Sequence, residues 1–123
     1  MVCYNDNLNS THENIGPFLM SLKTIACFTS IPPRYGMIER RVKNILNQRE
    51  KVDGIEIYLP LNYRRFNGER PTLPVFPEIV KIIDVEFDYG PATKILPAAQ
   101  RWHGQAVDVL VCDDDRIADS RWT

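Results

Sequence analysis

Apolar residues along this chain fall into short runs of strand length and one stretch at helical spacing. Thr24-Ile25-Ala26-Cys27-Phe28-Thr29 is an apolar run with β-branched ends that Ser30, Pro32 and Pro33 close, which predicts a buried first strand. Ile38, Val42, Ile45 and Leu46 then recur at i, i+4, i+7 and i+8, with Glu39, Arg40, Lys43, Asn44 and Asn47 between them. That spacing predicts an amphipathic helix over Met37 to Gln48. Ile55, Ile57 and Leu59 alternate with Glu56 and Tyr58 in a second strand, which Pro60 is expected to end. Pro60 to Pro77 holds four prolines together with Tyr63, Arg64, Arg65, Phe66 and Gly68. It reads as a long irregular loop, and such loops in compact domains are usually functional or mobile. Val80 to Val85 is the third strand. Gly90-Pro91 starts a helical stretch, with Pro91 suited to the first helical position, and Pro97 is expected to kink or interrupt it. Val107 to Cys112 is the fourth strand.

This alternation predicts an α/β fold, a mostly parallel sheet flanked by helices. Ligands bind such sheets beyond the carboxyl ends of the strands. Three segments fall there: Ser30 to Arg34, Asp84 to Lys94, and Asp113 to Asp115. Residues 1–20 have no sustained period and carry Gly16 and Pro17, so they read as an irregular arm before a domain over 21–123.

Charge adds a second layer. The 123 residues sum to a net charge of -1, which argues against a nucleic-acid partner, since such domains are usually strongly basic. Locally the balance is uneven. Arg34 to Arg70 carries nine basic against five acidic residues, and the chain from Glu78 onward nine acidic against five basic. A basic phosphate surface and an acidic metal site meeting in one cleft would account for this, as would solvated surface charge. Cys3, Cys27 and Cys112 have no metal-type spacing, and Met1 to Gly16 lacks a signal-peptide pattern. A reduced, cytoplasmic chain is the simplest expectation. No apolar run approaches the roughly 20 residues of a spanning helix, so membrane contact is expected to be peripheral at most.

The chemistry concentrates at Asp113-Asp114-Asp115. Neighbouring carboxylates ~4 Å apart repel by about 1 kcal/mol per pair in water and about 4 kcal/mol at a protein-surface dielectric. On near-extended backbone Asp113 and Asp115 face one way and Asp114 the other. Two carboxylates on one face suit Mn²⁺ or Mg²⁺, which commonly take one or two carboxylates plus substrate phosphates. The plainer reading has one aspartate capping a turn, another pairing with Arg116 and the third solvated.

Cys112-Asp113-Asp114-Asp115-Arg116 resembles the Asp-x-Asp motif of GT-A glycosyltransferases. Thr29-Ser30-Ile31-Pro32-Pro33-Arg34 is similar to the first-strand loop against which those enzymes lay the nucleotide. Asp88-Tyr89-Gly90-Pro91-Ala92-Thr93-Lys94 is similar to their glycine-containing segment before the metal motif. The resemblance runs from Thr24 to about Trp122. It implies a Rossmann-like nucleotide-binding half, a nucleotide-diphospho-sugar donor and a Mn²⁺ or Mg²⁺ ion. Carried over residue by residue, it puts Asp115 on the metal, Asp113 on the metal or the ribose, and Asp114 beside them. Thr29 and Ser30 would meet the base or ribose and Arg34 a phosphate. Lys94 would lie near the diphosphate, with backbone N–H groups at the helix start after Gly90 and with Asp88 in the same segment. Arg65, with Arg64 and Phe66, would clamp phosphate or stack on a base, or else be ordinary exposed loop.

Members of that family run well beyond the Asp-x-Asp motif, and the later part builds the acceptor site and, in inverting enzymes, supplies the general base. The expectation is therefore a truncated, donor-binding half. It transfers sugar to an unknown acceptor if the catalytic half is supplied elsewhere, or it is a binding or interaction module of the same fold without catalysis. No general base is nominated. A half-fold would expose apolar surface that a second copy would cover, giving a homo-oligomer. A receiver-like phosphoacceptor domain also uses acids at strand ends, but its acid pair follows the first strand, where this chain has Thr29-Ser30.

Overall fold

The structure, a computed structural model, describes residues 2–4, 23–66 and 68–114. Its elements in chain order are β1 (Val2–Tyr4), β2 (Lys23–Phe28), a 3₁₀ turn (Pro32–Met37) running into α1 (Ile38–Leu46), and β3 (Gly54–Pro60). They continue with β4 (Val80–Val85), a second 3₁₀ turn (Gly90–Lys94), α2 (Leu96–Trp102) and β5 (Val107–Val111). The strands form one sheet in the order β1-β5-β2-β3-β4. The pairs β5–β2, β2–β3 and β3–β4 are parallel, and β1 adds to the edge of β5 antiparallel. The expected α/β plan with a mostly parallel sheet is the one observed. Within the arm expected to be irregular, Val2–Tyr4 is a correction, because its backbone pairs with Val109–Val111; the rest of that arm lies outside the described residues.

Both faces of the sheet are covered, and this explains why β2 reads as an apolar run and why the residues alternating with Ile55, Ile57 and Leu59 in β3 are buried as well. Alternate residues of each strand serve opposite cores. Ala26 and Phe28 from β2, and Ile55, Ile57 and Leu59 from β3, pack with Ile38, Val42 and Ile45 of α1. Ile25, Cys27, Tyr58, Val107, Val109 and Val111 pack on the other face with Ala98 of α2. Glu56 also belongs to this second face and is only 2% exposed. Its carboxylate accepts from Tyr58 Oη at 2.6 Å, Trp102 Nε1 at 2.8 Å and Arg101 Nε at 3.0 Å. Those three donors make a buried charge tolerable and tie α2 to β3.

Pro60 ends β3 as expected, whereas Pro97 acts at a helix start. Pro60 is the last residue of β3 and still pairs with Val85. Proline lacks only a donor, so a strand can finish on it. Pro97 does not kink a helix; it sits in the first turn of α2, where its missing N–H would have had no partner anyway. The break falls earlier, at Ile95, between the 3₁₀ turn and α2. No described helix is long and apolar enough to cross a membrane.

Chain direction sets where a crevice can form. From β2 the chain steps outward to β3 and β4, then returns to place β5 on the opposite side of β2. The order therefore reverses between β2 and β5, the place in such sheets where a crevice forms at the carboxyl ends. Cys112 N–H donates to Cys27 O at 3.0 Å and prolongs the β2–β5 ladder to the crevice floor.

Candidate functional site

A cavity of about 510 Å³ opens at these carboxyl ends. Every described residue expected at the site lines it: Thr29, Ser30, Arg34, Arg65, Asp88, Gly90, Lys94, Asp113 and Asp114. Asp115, expected on the metal, lies outside the described residues, as does Arg116. The cavity's size falls in the range of small-molecule and cofactor sites. Its walls come from four segments: the loop after β2, the loop after β3, the turn after β4 and the loop after β5.

The β2 and β5 loops are stitched together by Asp114. This carboxylate is 5% exposed, accepts a short hydrogen bond from Ser30 Oγ and lies 3.2 Å from Arg34 Nε. Ser30 and Asp114 are 84 residues apart in sequence and meet only because β5 returns beside β2. Beside them Lys94 Nζ lies 2.7 Å from Asp113 Oδ1, with both side chains about one third exposed. The repulsion expected among the aspartates is thus relieved for Asp113 and Asp114 by Lys94 and Arg34 of this chain.

These partners refine the expected roles. Thr29 Oγ1 donates to Tyr58 O at 2.6 Å and Ser30 Oγ is engaged by Asp114, so both hydroxyls are already bonded within the wall. Asp88 is a brace. Its Oδ2 accepts from Arg64 N–H and its Oδ1 from Gly90 N–H, each at 2.8 Å. One side chain thereby joins the loop after β3 to the turn after β4. Gly90 adopts φ 65°, a left-handed conformation that glycine takes without cost and other residues do not. Tyr89 N–H is bonded to Thr93 Oγ1 at 3.1 Å. The amides at the start of this turn, expected to face a diphosphate, are therefore partly spent on the turn itself. Lys94 is anchored from below, where Cys27 Sγ donates to its carbonyl at 3.1 Å.

The long loop after β3 forms the remaining wall. Tyr63, Arg64, Arg65 and Phe66 all line the cavity. Tyr63 Oη donates to Ser30 O at 2.7 Å and meets Tyr35 Oη at 2.7 Å. Burial, ahead of the hydrogen bond with Tyr35, pushes the Tyr63 phenol well above the ordinary tyrosine range, so it stays a neutral donor. Tyr63 stacks edge-on to Phe66 at 6.1 Å, and the Arg65 guanidinium lies 5.6 Å from the Phe66 ring. Arg64 lies 5.8 Å from the Phe87 ring. The sequence places Tyr63 and Thr93 in candidate segments but assigns neither a role at the site. The density of aromatic and basic residues in a proline-rich loop was the available signal for Tyr63; Thr93 carried none.

Four cationic side chains, Arg34, Arg64, Arg65 and Lys94, thus share a cavity with three carboxylates, Asp88, Asp113 and Asp114. The basic middle and the acidic end of the chain do meet in one cleft. His103 and Trp102 lie elsewhere; Trp102 serves the Glu56 network. Among the described residues no three Asp, Glu, His or Cys side chains converge as a metal cage. Asp113 can offer a hard cation one carboxylate, beside phosphate and water oxygens in the usual manner of Mg²⁺.

Fold and site together define an α/β protein with an anion-compatible cleft at the switch point of a parallel sheet. Searches for similar proteins found no match among protein-family models, curated proteins or solved structures.

Proposed function

We propose that the cavity binds a nucleotide-diphospho-sugar with Mn²⁺ or Mg²⁺, as the donor-binding unit of a GT-A-type glycosyltransferase. The observation that carries this reading is convergence. The three segments resembling that family are distant in sequence and line one cavity at the reversal of strand order. Arg34, Arg64, Arg65 and Lys94 offer charge and fork geometry for a diphosphate. Phe66 and Tyr63 offer apolar faces for a base. Asp113 is the described residue best placed to share a cation with the diphosphate, whose charge the ion would neutralise as the sugar leaves.

A second reading, a module that binds the donor without turning it over, is favoured by the state of the carboxylates. Asp88 holds two backbone amides, Asp114 is buried against Ser30 and Arg34, and Asp113 is paired with Lys94. A general base needs hydrogen-bond reach to an acceptor hydroxyl, and each of these groups already has another task.

Calorimetric titration with uridine and guanosine diphosphates, with and without Mn²⁺, tests the binding that both readings share. The expected result is saturable binding of at least one nucleotide that strengthens with the metal. Absence of metal-dependent binding in folded protein would contradict it. Turnover of a bound nucleotide-sugar would separate the readings, since the binding module predicts none.

A further inference from the structure

The four cations of the cavity are of two kinds. Arg34 Nε lies 3.2 Å from Asp114 and Lys94 Nζ 2.7 Å from Asp113, so each of these faces a carboxylate. Arg64 and Arg65 have no ion-pair partner among the described residues. Each lies over an aromatic ring instead. The Arg64 guanidinium is 5.8 Å from the Phe87 centroid, and that of Arg65 is 5.6 Å from the Phe66 centroid. Asp88, the carboxylate bonded to this loop, accepts the Arg64 backbone N–H and leaves its guanidinium alone. The difference matters to an incoming anion. A carboxylate offsets the charge that it holds in place, whereas a neutral ring orients a guanidinium through its quadrupole and leaves the charge whole.

Phe87 itself fits this task better than a packing one. It is 56% exposed and rests at 4.8 Å on the ring of Tyr89. Arg64 lines the cavity and Phe87 does not. Gly90 leaves room on another side of the same guanidinium, since a Cβ there would lie 3.9 Å from Arg64 Nη2. Both arginines are solvent-exposed, so an anion reaches them without rearrangement of the wall. They also stand apart from the acidic end of the cavity. β3 and β5 lie on opposite sides of β2, which at ordinary strand spacing puts the two carboxyl ends roughly 10 Å from each other.

We propose that Arg64 and Arg65 form a phosphoryl-binding site that needs no metal, with Phe87 and Phe66 as its positioning residues. The inference rests on the diphosphate reading above and goes beyond it by giving phosphate a foothold independent of any cation. Two neighbouring guanidinium forks suit phosphate oxygens, which they can meet bidentately.

The test titrates the full chain calorimetrically with inorganic pyrophosphate, in buffer stripped of divalent cations and again with Mn²⁺. Wild type is expected to bind saturably in the metal-free buffer. Arg64→Gln and Arg65→Gln are each expected to weaken that binding about tenfold or more, as for loss of a charged hydrogen-bond donor. Phe87→Leu is expected to weaken it about two- to fivefold, the range of an exposed cation–π contact, and Phe87→Trp to restore it. The urea midpoint of Phe87→Leu should stay at the wild-type value, which separates orientation of Arg64 from a general loss of structure. Phe66→Leu should act on Arg65 in the same way, and the exposed Phe87 decides the question if the Phe66 variant is destabilised. Unchanged pyrophosphate affinity in Phe87→Leu and Phe66→Leu would overturn the positioning role. Pyrophosphate binding only in the presence of Mn²⁺ would overturn the metal-free site and leave the diphosphate reading standing. No binding of pyrophosphate by folded wild type, with or without Mn²⁺, would overturn both.

Discussion

Asp88 illustrates how a single side chain shapes this cleft without needing to touch a ligand. Both of its oxygens accept backbone amides, from Arg64 and from Gly90, at 2.8 Å. Because the acceptor is a carboxylate, each bond is stronger than a neutral one. Arg64 and Arg65 lie beyond the first of these bonds, and Lys94 lies four residues beyond the second. Asp88→Ala should cost about 1–2 kcal/mol in urea unfolding, as expected for the loss of partly exposed hydrogen bonds. The same substitution should weaken nucleoside diphosphate binding about tenfold by releasing the loop that carries the arginines, an effect of about 1.4 kcal/mol. Unchanged affinity in titration calorimetry would show that the brace does not position them. Asp114 is the contrasting case, a buried carboxylate that joins the loops after β2 and β5 through Ser30 and Arg34.

At the scale of elements, the turn between β4 and α2 forms the cavity wall that depends most on backbone conformation. Gly90 has φ 65°, and a Cβ added there would meet only the end of Arg64 at 3.9 Å. Space is available, so the penalty for Gly90→Ala is conformational, about 1–2 kcal/mol for an L-residue in the left-handed region. Urea unfolding should show that loss, and ligand affinity should fall with it because Lys94 closes the same turn. A neutral substitution would mean that the turn tolerates another conformation.

The elements themselves were largely legible in sequence, for a physical reason. Ile25 to Phe28, in a strand buried on both faces, stands out as an apolar run, Ile55, Ile57 and Leu59 stand out by alternation, and the α1 stripe has one apolar side. The site segments were legible because glycine, proline and charge cluster where strands end. Contacts that depend on strand order were not. Nothing near Ser30 announces Asp114, and nothing near Glu56 announces Arg101 and Trp102. Pro60 ends its strand as expected, whereas Pro97 opens the first turn of α2 instead of lying at the break, since proline's effect depends on whether a donor or a first-turn position is at stake. The interruption expected in the stretch after Gly90-Pro91 is present but falls at Ile95, two residues before Pro97, because proline marks a helix start as readily as a break.

Across the whole molecule, the two packed faces make alkaline stability a test of the fold. Burial is the main cause that raises the Cys27 and Cys112 thiols and the Tyr35 and Tyr58 phenols above their ordinary ranges. The unfolded chain releases these protons first. The stability they contribute is therefore complete below the unfolded values and is lost as pH rises toward the folded ones. Unfolding free energy should begin to fall near pH 8.5, where free thiols ionise, and more steeply above about pH 10, where free phenols do. Each group held neutral adds about 1.4 kcal/mol per pH unit to the slope. Urea midpoints measured between pH 8 and pH 11 check this, and a flat profile would mean that these groups are not buried in solution.

Placement of a nucleotide at the reversal of strand order is the central claim, and amide chemical-shift mapping tests it most directly. Uridine or guanosine diphosphate with Mg²⁺ should shift the amides of Thr29 to Arg34, Tyr63 to Phe66, Gly90 to Lys94 and Cys112 to Asp114, the segments that line the cavity. The opposite end of the sheet, around Lys23, Asp53 and Lys81, should stay unchanged. Shifts concentrated at that opposite end, or none with either nucleotide, would contradict the account.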